Sequence, residues 1–168
     1  MKTDERAWRR GADGEESVAA QLSKLEKRGW RFLHAIEVGN RSSDIDHVAI
    51  GPGGVFTLNT KNHKGKRVWV GAHSMRVDGF RVDYIRNSEF EANRASRLLT
   101  ESCGFPVFAS GLVVVLADEL TVKQQPECVR VLGRRQVSDW LKRRPVILDA
   151  ETIGRIYDHA RRSTTWTP

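Results

Sequence analysis

Asp44-Ile45-Asp46-His47-Val48-Ala49-Ile50-Gly51-Pro52-Gly53-Gly54-Val55-Phe56-Thr57-Leu58-Asn59-Thr60-Lys61 is the stretch that decides the fold. Its two halves are rich in β-branched and aromatic residues and meet at a Gly-Pro-Gly-Gly run, the signature of a β-hairpin. A loop centred between Pro52 and Gly53 pairs Ile50 with Val55, Val48 with Thr57, Asp46 with Asn59 and Asp44 with Lys61. Two- and four-residue loops both keep that register. Pro-Gly favours a type II turn, so the four-residue loop is the expectation. Strand alternation then places Asp44, Asp46, Asn59 and Lys61 on one face, with opposed Cβ atoms roughly 4.5–5.5 Å apart. His47 points to the other face and reads as a packed residue. Apolar residues on both faces (Val48, Ile50 and Val55; Ala49, Phe56 and Leu58) put the hairpin in the middle of a sheet covered on both sides.

A further acid comes from an N-terminal helix expected over about residues 13–28, with Val18, Leu22 and Leu25 on its apolar stripe and Gly29 at its end. Glu15 falls on that stripe, where an acid is seldom left without a partner. Glu16 points elsewhere and reads as solvated. Acids, an amide and an ammonium so grouped suit phosphodiester hydrolysis. Mg²⁺ takes a few carboxylate oxygens and keeps water and substrate phosphate as its other ligands. It polarises the phosphoryl oxygens, while a nearby lysine orients water or offsets charge on phosphorus. Each residue also has a plainer reading. Asp44 fits a solvated strand end, Asp46 a turn-supporting hydrogen bonder, Lys61 an edge lysine, and Glu15 a complement to the helix N-terminus. Ser88-x-x-Glu91 fits a capping box better than a catalytic role for Glu91. His63 reads as an exposed loop residue, and His34, His73 and His159 have no metal-ligand spacing.

Gly11-Ala12-Asp13-Gly14-Glu15, Asp44-Ile45-Asp46-His47-Val48, Gly51-Pro52-Gly53-Gly54-Val55-Phe56 and Asn59-Thr60-Lys61-Asn62-His63-Lys64-Gly65 follow one another in a specific order. At these residues the chain resembles the nuclease-related domain (NERD) family, assigned to the PD-(D/E)XK, restriction-endonuclease-like superfamily. The tail from Asp158 to Trp166 looks like that of stand-alone bacterial members. The resemblance implies an α/β fold, a central mixed β-sheet flanked by helices with an α-β-β-β-α-β core. It also implies a Mg²⁺ (or Mn²⁺) dependent nuclease acting on DNA in processing or defence. Carried over by position, Glu15 is the helix acid, Asp46 the strand metal ligand and Lys61 the catalytic lysine. Asn59 stands where the motif has an acid, so the site is one negative charge short. Glu15, Asp46, Asn59 and the main-chain carbonyl of Thr60 make the implied ligand set, with Asp44 and Glu91 as accessory candidates.

Composition agrees with a nucleic-acid partner. Lys and Arg number 28 against 21 Asp and Glu, a net charge of +7. After Val129 there are nine basic residues against four acidic ones. Phosphate contacts are expected from Lys64, Lys66 and Arg67 beside the motif, and from Arg134, Arg135, Lys142, Arg143 and Arg144. The plainer reading of Lys142-Arg143-Arg144 is a solvated helix end. One domain over 1–168 is expected, with a core over about 11–117 and a basic helical extension over about 134–162.

Helices are expected at Ser88 to Cys103, near 135–143 and at Ala150 to Arg162, ahead of a Ser-Thr-Thr-Trp-Thr-Pro tail. Strands are expected at 30–38, 66–71, 107–117 and 128–132, and a short hairpin between Met75 and Tyr84. Cys103 and Cys128 fit free thiols, residues 1–10 hold no apolar signal core, and no apolar run reaches membrane-spanning length. A cytoplasmic protein without a membrane partner is the expectation. A homodimer is compatible with cutting both strands of a duplex. Two alternatives stay open: a nucleic-acid-binding module with weak or no catalysis, and a protein-interaction scaffold in a DNA-processing assembly.

Overall fold

The computed structural model describes residues 15, 17–39 and 43–168. Gly11 to Gly14, the expected helix start at Asp13, and Glu16 lie outside the described residues. Helix α1 carries Glu15 and residues 17–22 and tightens into a 3-10 turn over Ser23–Arg28. Gly29 closes it with φ 88°, a left-handed conformation that glycine adopts without a Cβ penalty.

Strands β1 (Arg31–Val38), β2 (Ser43–Gly51) and β3 (Gly54–Val70) form an antiparallel meander. A small hairpin, β4 (Met75–Val77) and β5 (Phe80–Val82), pairs with the far part of β3. Helix α2 (Tyr84–Cys103) crosses over to β6 (Ala109–Val122), which runs parallel to β3, and β7 (Val129–Gly133) pairs parallel to β6. Helices α3 (Val137–Lys142), α4 (Ala150–Ala160) and α5 (Ser163–Trp166) complete the chain. The sheet has seven strands and is mixed, and α1, β1–β3, α2 and β6 follow one another in the α-β-β-β-α-β order of a restriction-endonuclease-like core.

Both faces of the sheet are covered. On one, α2, α4 and α5 bury Val48, Ile50 and Val55 against Leu99, Ile156 and Trp166. On the other, α1 and α3 bury Ala49, Phe56 and Leu58 against Val18, Leu22 and Leu141. Full burial of such a side chain contributes roughly 1.5–3 kcal/mol, which is why the hairpin register is so firmly specified.

Several expectations need correction. Gly51 pairs with Gly54, so the loop is the two residues Pro52-Gly53 and not four. Glycine makes the tight turn possible: a Cβ on Gly51 would collide with the Trp30 ring, and Gly54 has φ 121°. The Pro52 carbonyl is held from outside by the Ile147 and Leu148 N–H groups at 2.7 and 3.1 Å. No separate strand begins at Lys66, because β3 runs on through Val70 with an irregularity between His63 and Arg67. There the Gly65 N–H donates to Asp118 Oδ1 at 2.9 Å. Strand β6 likewise continues beyond Ala117 to Val122, following β3. Helix α2 starts at Tyr84, four residues before the expected start, with Asp83 as its N-cap. Ser88 and Glu91 therefore sit inside the helix and form no capping box. The tail, to which the sequence assigned no element, forms α5. Trp166 is 2% exposed and its indole donates to the Ala160 carbonyl at 2.7 Å, while its own carbonyl accepts from Gly39 N–H at 3.0 Å.

Candidate active site

Strand β3 has two partners along one edge: β2 beside residues 54–58 and β4 beside residues 68–70. Among the described residues, no strand pairs on that edge with residues 59–67. Asn59, Thr60 and Lys61 stand at the mouth of this notch. The expected register holds from Gly51–Gly54 to His47–Leu58 and then opens, so the Asp46–Asn59 and Asp44–Lys61 rungs do not form. Two local features accompany the parting. Opposite Asp46 on β1, Ala35 takes φ 52° and the β1–β2 ladder skips that rung. Asp46 also reaches across with its side chain, Oδ2 accepting from the Thr60 backbone N–H at 2.8 Å and its hydroxyl at 3.0 Å. A carboxylate thus takes the place of the ladder bond that β2 would have supplied.

The acids gather here despite the lost rungs. Burial raises the Asp46 carboxyl above its ordinary pKa, opposed by the Thr60 hydrogen bonds and Lys61. Burial raises Glu15 too, with Asp46 and Asp44 repelling it and Lys61 favouring its charge. Glu91, from α2, is pushed up to about 8 by burial and then by Asp46, against Lys61 and a side-chain hydrogen bond with Asn59. Glu15 on one side and Glu91 on the other therefore both feel Asp46 and Lys61. Crowded carboxyls that resist ionisation are what a divalent cation relieves, and every donor is a hard oxygen. Among the described residues, no three His, Cys, Asp or Glu side chains already stand close enough to hold a metal ion.

Lys61 is held by a contact that is not visible in local sequence. Its Nζ lies 4.6 Å from the centroid of the Tyr84 ring, a cation–π contact. Tyr84 Oη shares a hydrogen bond of 2.9 Å with His63 Nε2, and the two rings stack at 15°. His63 is thus a half-buried strand residue, not an exposed loop histidine, and its pKa is lowered by burial first and by Lys66 and Lys61 next. Tyr84 was missed because the helix was expected to begin later. Glu91 carried a usable signal: like Glu15, it sits among the buried positions of its helix, beside Ser88, Ala92 and Ala95.

The basic residues divide. Lys64 and Arg134 line one open cleft of about 610 Å³ together with Ser17, Asn62 and Asp118, and Arg134 Nη1 donates to Ser17 Oγ at 2.6 Å. Lys66 and Arg67 lie exposed on β3, where Arg67 pairs with Glu119 at 3.3 Å. Arg135 is exposed in the 3-10 turn before α3. Lys142 and Arg143 are exposed at the end of α3, and Arg144 packs its guanidinium 4.1 Å from the centroid of the Trp140 ring. Arg144 also abuts Gly53 at the hairpin turn. From Gly53 to Lys61 is eight residues of strand, roughly 26 Å. The structure therefore does not bring Lys142-Arg143-Arg144 to Lys61.

Comparison with known proteins points the same way. An uncharacterized protein of Bacillus anthracis is 39% identical over 61 residues, 34% of this chain. The chain spans 28% of that relative's length. No solved structure matches significantly. The nuclease-related domain matches residues 10–116, the stretch that carries α1, the hairpin, α2 and most of the buried part of β6. With the fork of β2 and β3, the acids around it and Lys61 beside them, that match places the chain in the nuclease-related domain (NERD) family.

Proposed function

We propose that the chain is a divalent-cation-dependent nuclease that hydrolyses phosphodiester bonds of DNA in the cytoplasm. The observation that carries this reading is the joining of Asp46 and Lys61 at one notch, between partly buried acids from two helices. Glu15, Asp46, Asn59 and the Thr60 main-chain carbonyl are the oxygens that would hold Mg²⁺ or Mn²⁺. When bound, the cation supplies Lewis-acid polarisation of the phosphoryl group and a more acidic water.

The chain's own groups do the rest. Lys61 brings a positive charge to the notch, where the phosphorus gathers negative charge during attack. The Tyr84 ring limits the excursions of the ammonium, so its charge is in place before the substrate arrives. Asp46, fixed by two hydrogen bonds from Thr60, presents its carboxylate in one orientation. Lys64 and Arg134, in their shared cleft, receive the flanking phosphates. A cut through both strands takes two such sites, so two copies acting together belong to this reading.

Asn59 favours a second reading, a nucleic-acid-binding module with little catalysis, because an amide carries no charge to the metal. One experiment separates the two. Supercoiled plasmid and single-stranded DNA are incubated with Mg²⁺ or Mn²⁺ and wild type, Asp46→Ala or Asn59→Asp. Nuclease function predicts cutting by wild type that falls by about 10²–10³ in Asp46→Ala, the scale of losing one electrostatic partner of the transition state. Silence from wild type with cutting by Asn59→Asp would identify a site disarmed by one charge. DNA binding that weakens with salt, without cutting by any variant, would establish the binding module.

A further inference from the structure

We propose that Glu91 is the metal-ligating carboxylate that replaces the acid missing at Asn59, so that one ligand has moved from strand β3 to helix α2. The inference rests on the reading above that the site takes a divalent cation. Its starting point is the packing of α2. Ser88, 1% exposed, is pressed against Gly111 of β6, where a Cβ would collide with the Ser88 hydroxyl. Gly111 pairs with Thr57, two residues before Asn59 on β3. The missing side chain at Gly111 thus lets α2 settle low over the sheet, one helical turn before Glu91. From there the Glu91 side chain reaches the Asn59 amide with which it hydrogen-bonds, and it interacts with both Asp46 and Lys61.

A purely structural role leaves this carboxyl poorly explained. Its Oε1 is buried and has no hydrogen-bond partner. A buried acid that is only half satisfied costs stability, and a glutamine could serve Asn59 as well. The number of carboxylates agrees with the exchange. Glu15 and Asp46 with an acid at position 59 would make three; Glu15 and Asp46 with Glu91 also make three. The amide at position 59 then orients the displaced carboxylate through their hydrogen bond. An acid at both positions would set two carboxylates against each other.

Mn²⁺ is titrated into the purified full chain and followed by calorimetry and by the electron paramagnetic resonance signal of the free ion. Glu91→Gln keeps shape and hydrogen bonding, and its metal-free thermal unfolding is recorded to show that it folds. Saturable binding by wild type, weakened roughly tenfold or more in Glu91→Gln and recovered to within about threefold of wild type in Asn59→Asp/Glu91→Gln, is the expected result. Unchanged Mn²⁺ affinity in Glu91→Gln would overturn the ligand role while leaving the cation site in place. Weakened affinity that Asn59→Asp fails to recover would overturn the exchange between strand and helix. Absence of binding by wild type would overturn both this inference and the cation-dependent reading beneath it.

Discussion

The two ends of one hairpin behave oppositely. At the closed end, from Gly51–Gly54 to His47–Leu58, every rung is made and the side chains of both faces are buried. Aromatic rings line that end: Trp30 stacks on Phe32, contacts Phe56 at 6.2 Å, and Phe56 meets Trp140 edge-on at 5.4 Å. At the open end, one residue further along each strand, pairing stops and the side chains are Asp46, Asn59, Thr60 and Lys61. The closed end fixes where the strands lie; the open end frees one edge of β3 from its neighbouring strand and turns polar side chains toward it. Stability and chemistry thus occupy neighbouring stretches of the same two strands, and the rigid part positions the reactive one.

That division can be broken from the closed side. Gly51→Ala drives a methyl group into the Trp30 ring and is expected to lower unfolding free energy by about 2–3 kcal/mol, as overpacking does. Urea denaturation measures it. DNA cleavage per folded molecule at a temperature where the variant is native should stay near wild type. A large loss of cleavage in folded protein would show that the two ends are not separable.

His47 tests the border between them. It is the last residue of β2 to pair with β3, is 2% exposed, and its Nδ1 lies 2.8 Å from that of His34. Burial first and His34 second lower its pKa from 6.5 to about 4, and His34 in turn faces the charge of Glu26. Below pH 6.5 the unfolded chain takes up a proton that the folded chain refuses. This contribution to stability is therefore intact above pH 6.5 and is lost as pH falls through 4, on the order of 3 kcal/mol in all. Denaturation at pH 7.5 and pH 4.5 should show wild type losing more stability than His47→Gln. Equal losses would remove His47 from the account.

The smallest expected effect sharpens the open end. Tyr84→Leu removes the ring beneath Lys61, worth about 0.5–2 kcal/mol, and should slow cleavage by roughly 2–30-fold in the folded protein. Tyr84→Phe keeps the ring and loses only the His63 hydrogen bond, so its rate should lie closer to wild type. Equal slowing in both variants would assign the effect to the hydroxyl and His63 instead.

The sequence by itself determined the hairpin, its register through His47–Leu58, the layered α/β class and the family. Each is written in neighbouring residues: Gly-Pro-Gly-Gly centres the turn, though not its length, and period-two alternation fixes the faces. It also grouped Asp46 with Lys61, but through rungs that do not form; Asp46 reaches Thr60, beside Lys61, with its side chain instead. The run could not show where the ladder stops. It stops beside Ala35 of β1, whose left-handed backbone is not announced by an alanine. It misread Ser88-x-x-Glu91, since a capping box and two buried positions one turn apart share the same spacing. Only the tertiary structure decided that Glu91 and Tyr84 face the notch, that Lys64 and Arg134 share a cleft, and that Trp166 is core. The reason is common to all of them. Where a helix settles on a sheet is set by side-chain volumes far apart in the chain, as Gly111 beneath Ser88 shows, and periodicity along one element carries no record of them.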